Sequence, residues 1–181
     1  MPKCNVTKMV EGFNTIEGYS RSYGLKRQSK GVVSDFFFSV LDKGMGMESH
    51  LNKTIKVPGG KHVRPWGCAT LPGSKNECDV VGTFFIGSGE DYEPVYPSLI
   101  PESKIDQLAT FMRATGAKFG MLAGQTRISS SYHDKYYADP VMIRIYDKPP
   151  SSIADRPAIS LPLEKFSSGD ARHLCDVLGT G

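Results

Sequence analysis

The sequence predicts an α+β domain: an antiparallel or mixed β-sheet packed against two amphipathic helices, with a flexible basic N-terminal arm in front. Three observations lead there. Short runs rich in β-branched and aromatic residues recur, notably Val32 to Leu41, Asp79 to Ile86 and Val141 to Tyr146. Two other segments carry apolar residues at helical spacing, Ile105, Leu108, Phe111 and Met112 in one and Ala171, Leu174, Cys175 and Leu178 in the other. Strands and helices do not alternate regularly, which disfavours a doubly wound parallel sheet and favours helices gathered on one sheet face. A chain of 181 residues is long enough for one such core without a metal or disulfide staple.

Taken in order, residues 1–31 read as a flexible arm, because their apolar residues are scattered and Gly12, Gly18, Gly24 and Gly31 interrupt them. Residues 32–181 read as one globular domain. It opens on a strand, Val32 to Leu41, with Phe36, Phe38 and Val40 on one face and Phe37 opposite. Thr54 to Val57 alternates and stops at Pro58-Gly59-Gly60, and Asp79 to Ile86 ends in Gly87-Ser88-Gly89. The stretch from 87 to 101, with three prolines, reads as an exposed loop. A helix follows from Pro101 to Thr115, with Ser103 and Asp106 as its capping pair and Gly116 as its stop. Lys118 to Ala123 and Val141 to Tyr146 are strands, the second setting Val141, Ile143 and Ile145 against Met142, Arg144 and Tyr146. Ala158 to Leu161 adds an edge strand. A final helix begins after Ser167-Ser168-Gly169-Asp170 and ends at Gly179.

Charge is concentrated at the front. Residues 1–34 hold six cations (Lys3, Lys8, Arg21, Lys26, Arg27, Lys30) against Glu11 and Glu17, an excess of +4, whereas the whole chain carries +3. The cations of Arg21, Lys26, Arg27 and Lys30 favour a phosphate-bearing partner through counterion release. Tyr19 and Tyr23 add rings that stack on unpaired bases. An anionic lipid surface satisfies the same charges. No run is apolar enough to cross a membrane, and the opening MPKCNVTKMVEG lacks a signal-peptide core, so a protein of the cytosol or nucleus is expected. Cys4, Cys68, Cys78 and Cys175 form no C-x-x-C pair, so reduced thiols are expected, with neither a zinc site nor a disulfide framework.

Catalytic signatures are lacking, and no cofactor is expected. Gly59-Gly60-Lys61 is followed by His62 and lacks the first glycine of a phosphate loop, and Gly87-Ser88-Gly89 runs into Glu90 and Asp91. Ser129, Ser130 and Ser131 near His133 and Asp134, or Cys68 with His50, His62 or His133, supply nucleophile and base types without a nucleophile elbow or a cysteine-protease signature. A non-enzymatic protein is the reading these absences favour.

Two segments together resemble the matrix proteins of rhabdoviruses. One is Phe36-Phe37-Phe38-Ser39-Val40, directly after a short basic leader; the other is Ile143-Arg144-Ile145-Tyr146-Asp147-Lys148. After the second comes a Ser/Ala/Pro stretch, an apolar patch from Pro157 to Leu163, the step Lys165-Phe166-Ser167 and a closing helix, in the same order as in that family. Residues 42–135 have no counterpart. The resemblance implies a viral structural protein, found in the virion and the host cytoplasm peripheral to membrane. Such a protein self-associates and bridges the viral ribonucleoprotein and the inner membrane leaflet through its basic arm. The PPxY budding motif of the animal-virus members is missing, which fits a plant-infecting branch. Tyr96-Pro97-Ser98-Leu99 matches instead the YPxL peptide by which some enveloped-virus proteins recruit host budding machinery. The alternative is a single-stranded nucleic-acid-binding protein of coat or silencing type, working through the same arm.

Overall fold

The computed structural model describes residues 4–23, 30–51, 54–56, 62–65, 67–86, 102–125, 128–130, 136–138, 141–152 and 154–179. Helices α1 (Val6–Tyr23) and α2 (Lys30–Met45) come first. Strands β1 (Glu48–Leu51), β2 (Ile55–Lys56), β3 (His62–Val63), β4 (Gly67–Thr70) and β5 (Val80–Ile86) follow, then α3 (Glu102–Thr115). The chain continues with β6 (Phe119–Gln125), β7 (Ile128–Ser130), β8 (Tyr136–Ala138), β9 (Met142–Tyr146), β10 (Ile159–Pro162) and α4 (Ser168–Gly179). A six-stranded sheet runs β1-β4-β5-β6-β9-β10; β2-β3 and β7-β8 form separate two-stranded ribbons. The sheet is mixed: β5 and β6 are parallel, as a crossover through α3 requires, and the other pairs are antiparallel. The α+β class and five of the expected strands, at β2, β5, β6, β9 and β10, stand.

Two expectations at the front of the chain are corrected. Residues 32–41 are part of helix α2, not a strand. The buried set Ser34, Phe37, Phe38, Leu41 and Met45 recurs every three or four residues. Three consecutive phenylalanines satisfy both periods, and packing chose the helical one. The leader likewise is not loose chain over residues 6–23, which form α1. Asn5 caps α1, its Oδ1 accepting from Lys8 N at 3.1 Å, and Met9, Phe13 and Ile16 are buried beneath it. Gly12, read as a source of flexibility, is a point of close approach: a Cβ there would lie 2.6 Å from a methyl of Val40.

Helices cover both sheet faces, which corrects the expectation of one covered face. On one side α1, α2 and α4 enclose a core with Val80 and Phe84 (β5), Met121 and Ala123 (β6), Ile143 and Ile145 (β9) and Ile159 and Leu161 (β10). Phenylalanine rings link the layers: Phe13 to Phe37 at 6.3 Å, Phe13 to Phe166 at 4.8 Å and Phe37 to Phe84 at 5.7 Å. On the other side, Ile105, Leu108 and Met112 of α3 pack on Cys68, Val81, Leu122 and Tyr146. β5 is therefore sandwiched, which explains why its sequence is a continuous apolar run and not an alternation.

The ends of the later helices are set as local chemistry dictates. Ser167 and Asp170 exchange reciprocal bonds ahead of α4, Asp170 N to Ser167 Oγ at 3.1 Å and Ser167 N to Asp170 Oδ2 at 3.0 Å. Gly116 ends α3 at φ 70°, its N–H donating to Met112 O. α3 starts at Glu102, so Ser103 lies inside its first turn and is not the cap.

All four cysteines are paired, which corrects the expectation of reduced thiols. Cys68 and Cys78 close the β4–β5 connection with their Cα atoms 5.3 Å apart. Cys4, just ahead of α1, joins Cys175 of α4 at 5.9 Å. Within the β4–β5 connection the fully buried Asp79 accepts from Leu71 N at 2.9 Å and from Asn76 Nδ2 at 3.4 Å, while its main chain holds Ala69 and Phe119.

Gly67 and Gly82 face each other across β4 and β5, and the ring of Phe38 rests on both. A Cβ at Gly82 would lie 2.8 Å from that ring. Gly82→Val is therefore expected to push α2 off the sheet and cost about 1–3 kcal/mol, measured as a lower urea midpoint with an unchanged m-value. An unshifted midpoint would contradict this docking.

Candidate functional site

The basic segment falls at the joint between the first two helices. Tyr19, Arg21 and Tyr23 belong to the last turns of α1, and Lys30 is the first residue of α2. Lys26 and Arg27 lie outside the described residues, as does the Tyr96 to Leu99 motif. Each helix is balanced in formal charge: α1 carries Lys8 and Arg21 against Glu11 and Glu17, and α2 carries Lys30 and Lys43 against Asp35 and Asp42. From residue 19 to residue 30, by contrast, four cations occur with no acid. α1 and α2, which pack on each other, flank this basic stretch in the sequence. Between the two helices runs a groove of 250 Å³ lined by Lys8, Thr15, Asp35, Phe36, Ser39 and Lys43, with charges of both signs.

Of the hydrolase constellations, the one built on Cys68 does not assemble. Cys68 is held in a disulfide with Cys78, so it has no thiol to ionise, and His50 Nε2 lies 3.2 Å from Thr70 Oγ1. Ser129 and Ser130 are in strand β7, while Ser131, His133 and Asp134 lie outside the described residues. Cys175 is disulfide-bonded and His173 is exposed on α4, so that pair holds no metal. Among the described residues no group of three His, Cys, Asp or Glu side chains is placed to hold a metal ion. No helix there is long and apolar enough to cross a membrane.

Sequence reasoning gave two side chains no role beyond the alternation of their strand. Tyr146 is 2% exposed with its hydroxyl unpartnered, and the Nε of the half-buried Arg144 is buried with no acceptor. The signal was present as an arginine at the centre of a short strand that alternates apolar residues on its other face. Its meaning depends on what the neighbouring strands bring alongside.

Comparison with known proteins adds little. No family model matches the chain, and no curated protein does. Among solved structures it is similar to the crystal structure of SSO0001, at 15% identity over 97% of this chain and 75% of that one, with a TM-score of 0.35. A likeness at that level carries no argument about fold or activity.

Proposed function

We propose that this chain is a non-enzymatic structural protein of matrix type that self-associates and joins a ribonucleoprotein to an anionic membrane leaflet through the basic segment at the α1–α2 joint. The observation that carries the reading is the charge pattern: four cations and no acid over residues 19–30, in a chain whose whole net charge is +3. The resemblance of Ile143 to Lys148 and of the segments after it to rhabdovirus matrix proteins supports the class. Electrostatic attraction of this kind needs no catalytic group and no pocket, only cations held together at a surface.

The test neutralises charge and replaces none of the residues described as buried. In the variant R21Q/K26Q/R27Q/K30Q, binding to anionic vesicles is expected to fall by up to about a thousandfold, because each cation near such a surface contributes about 1 kcal/mol. With single-stranded RNA, four lost phosphate contacts should flatten the slope of log K against log salt by about 3. Vesicle flotation and RNA co-sedimentation at two salt concentrations read both effects. Equal binding by the variant and the parent to both partners would remove the role assigned to the segment.

One observation favours the second reading, a single-stranded nucleic-acid binder. Tyr19 and Tyr23 are four residues apart in the last turns of α1, with the cations next to them in the sequence. If bases stack there, Tyr19→Ala and Tyr23→Ala should each weaken RNA binding by about 1–3 kcal/mol and leave vesicle binding unchanged.

A further inference from the structure

Arg144 sits in the middle of β9 on the α3 side of the sheet, in a transverse row with Thr83, Leu122 and Ser160. Thr83 donates to Gln107 Oε1 of α3, and Lys104 Nζ reaches the same oxygen at 3.4 Å. Further along that row Leu122 packs in the α3-side core, whereas Ser160 is exposed on β10. Arg144 lies between the two, where the covered face gives way to an open one. A guanidinium stays charged at every accessible pH, so a buried Nε–H with no acceptor keeps its full desolvation cost. An arginine that merely laid its stem along the sheet would leave its whole head in water. Here the inner nitrogen of the head is buried.

The flanking positions cannot supply the missing acceptor charge. On this face the neighbours of Arg144 by register are Met142 and Tyr146 on β9, Leu122 with Gly120 and Gly124 on β6, and Ser160 with Pro162 on β10. None is a carboxylate. Tyr146, two residues along the same face, carries the second buried polar atom without a partner. Two orphaned donors on one strand face, one of them a permanent cation, with no acid beside them, are what an oxyanion from solution would satisfy.

We infer that the α3-side face of β9 is an oxyanion site of phosphate class, with Arg144 as the charge partner and the Tyr146 hydroxyl as a second donor. Phosphate fits better than carboxylate because its oxygens are tetrahedral and serve donors that approach from different directions. This site lies on the sheet face opposite the one that α1 and α2 cover.

Thermal melts of the full-length oxidised chain test it, in the R21Q/K26Q/R27Q/K30Q background so that binding at the basic segment does not contribute. Ionic strength is fixed, chloride is the reference, and the added probes are inorganic phosphate, a nucleoside 5′-monophosphate, a short single-stranded oligonucleotide and acetate. A saturable rise in Tm with at least one phosphate-bearing probe is expected, and the probe that protects at the lowest concentration identifies the source. Arg144→Met should weaken that binding about 10- to 100-fold and Tyr146→Phe about fivefold, the sizes of a charge-assisted and a neutral hydrogen bond. In chloride alone, Arg144→Met should melt at or above its parent, because it removes a buried donor that has no partner. Arg144→Lys, which keeps the charge without the Nε–H, should fold and bind with intermediate strength. The proposal is overturned by the absence of a saturable phosphate response in the parent, by an equal response in Arg144→Met, by equal protection from acetate, or by Arg144→Met melting below its parent in chloride.

Discussion

Replacing Cys4 and Cys175 by serine is expected to destabilise the protein by about 2–5 kcal/mol, because the bridge closes a loop of nearly the whole chain. Its two cysteines are 171 residues apart, so the unfolded chain loses much of its freedom when they are joined. For a domain of this size the loss corresponds to a fall in Tm of roughly 5–20 °C. Reversible melts of the oxidised protein and of the double serine variant give the difference, and alkylation before and after reduction counts the thiols. A change below about 1 kcal/mol, under the usual range for a native bridge, or native Cys175 that alkylates without reductant, would refute the crosslink's role. The Cys68–Cys78 bridge, with both residues 1% exposed beneath α3, should resist a reductant longer than the one at exposed Cys4.

Phe13→Ala is expected to cost about 3–5 kcal/mol. The side chain is fully buried between Phe37 of α2 and Phe166 ahead of α4, so its removal leaves a cavity that three rigid elements cannot close. Urea unfolding monitored by circular dichroism measures the loss. A cost under about 1.5 kcal/mol, well below what burial of a ring implies, would mean that α1 is not part of the core. The same packing determines how function has to be probed. Deleting residues 1–31 would remove Met9, Phe13, Ile16 and Cys4 together, more than a typical stability of about 5–15 kcal/mol can absorb. A truncated protein that binds nothing would therefore report unfolding, whereas charge neutralisation keeps every residue described as buried.

The charge surplus of residues 19–30 could be read from composition, and so could β5, β6, β9, β10, α3 and α4. Each is announced by a period, a cap or a glycine stop within its own residues, as the Ser167–Asp170 exchange and Gly116 illustrate. α2 could not, because Phe36 to Phe38 satisfy helix and strand alike until Gly67 and Gly82, far along the chain, offer a bare backbone for Phe38 to rest on. α1 was hidden by Gly12, which looks like a flexible joint and serves as a contact with Val40. Nothing within a few residues of Cys4 names Cys175 as its partner, and nothing within β9 shows that β6 and β10 would leave Arg144 without an acceptor. By itself, then, the order of residues determined which segments are periodic and where charge accumulates, since both depend on near neighbours. Which period prevails, which cysteines meet and which polar atoms are stranded depended on surfaces brought together from distant parts of the chain, and only the tertiary structure decided them.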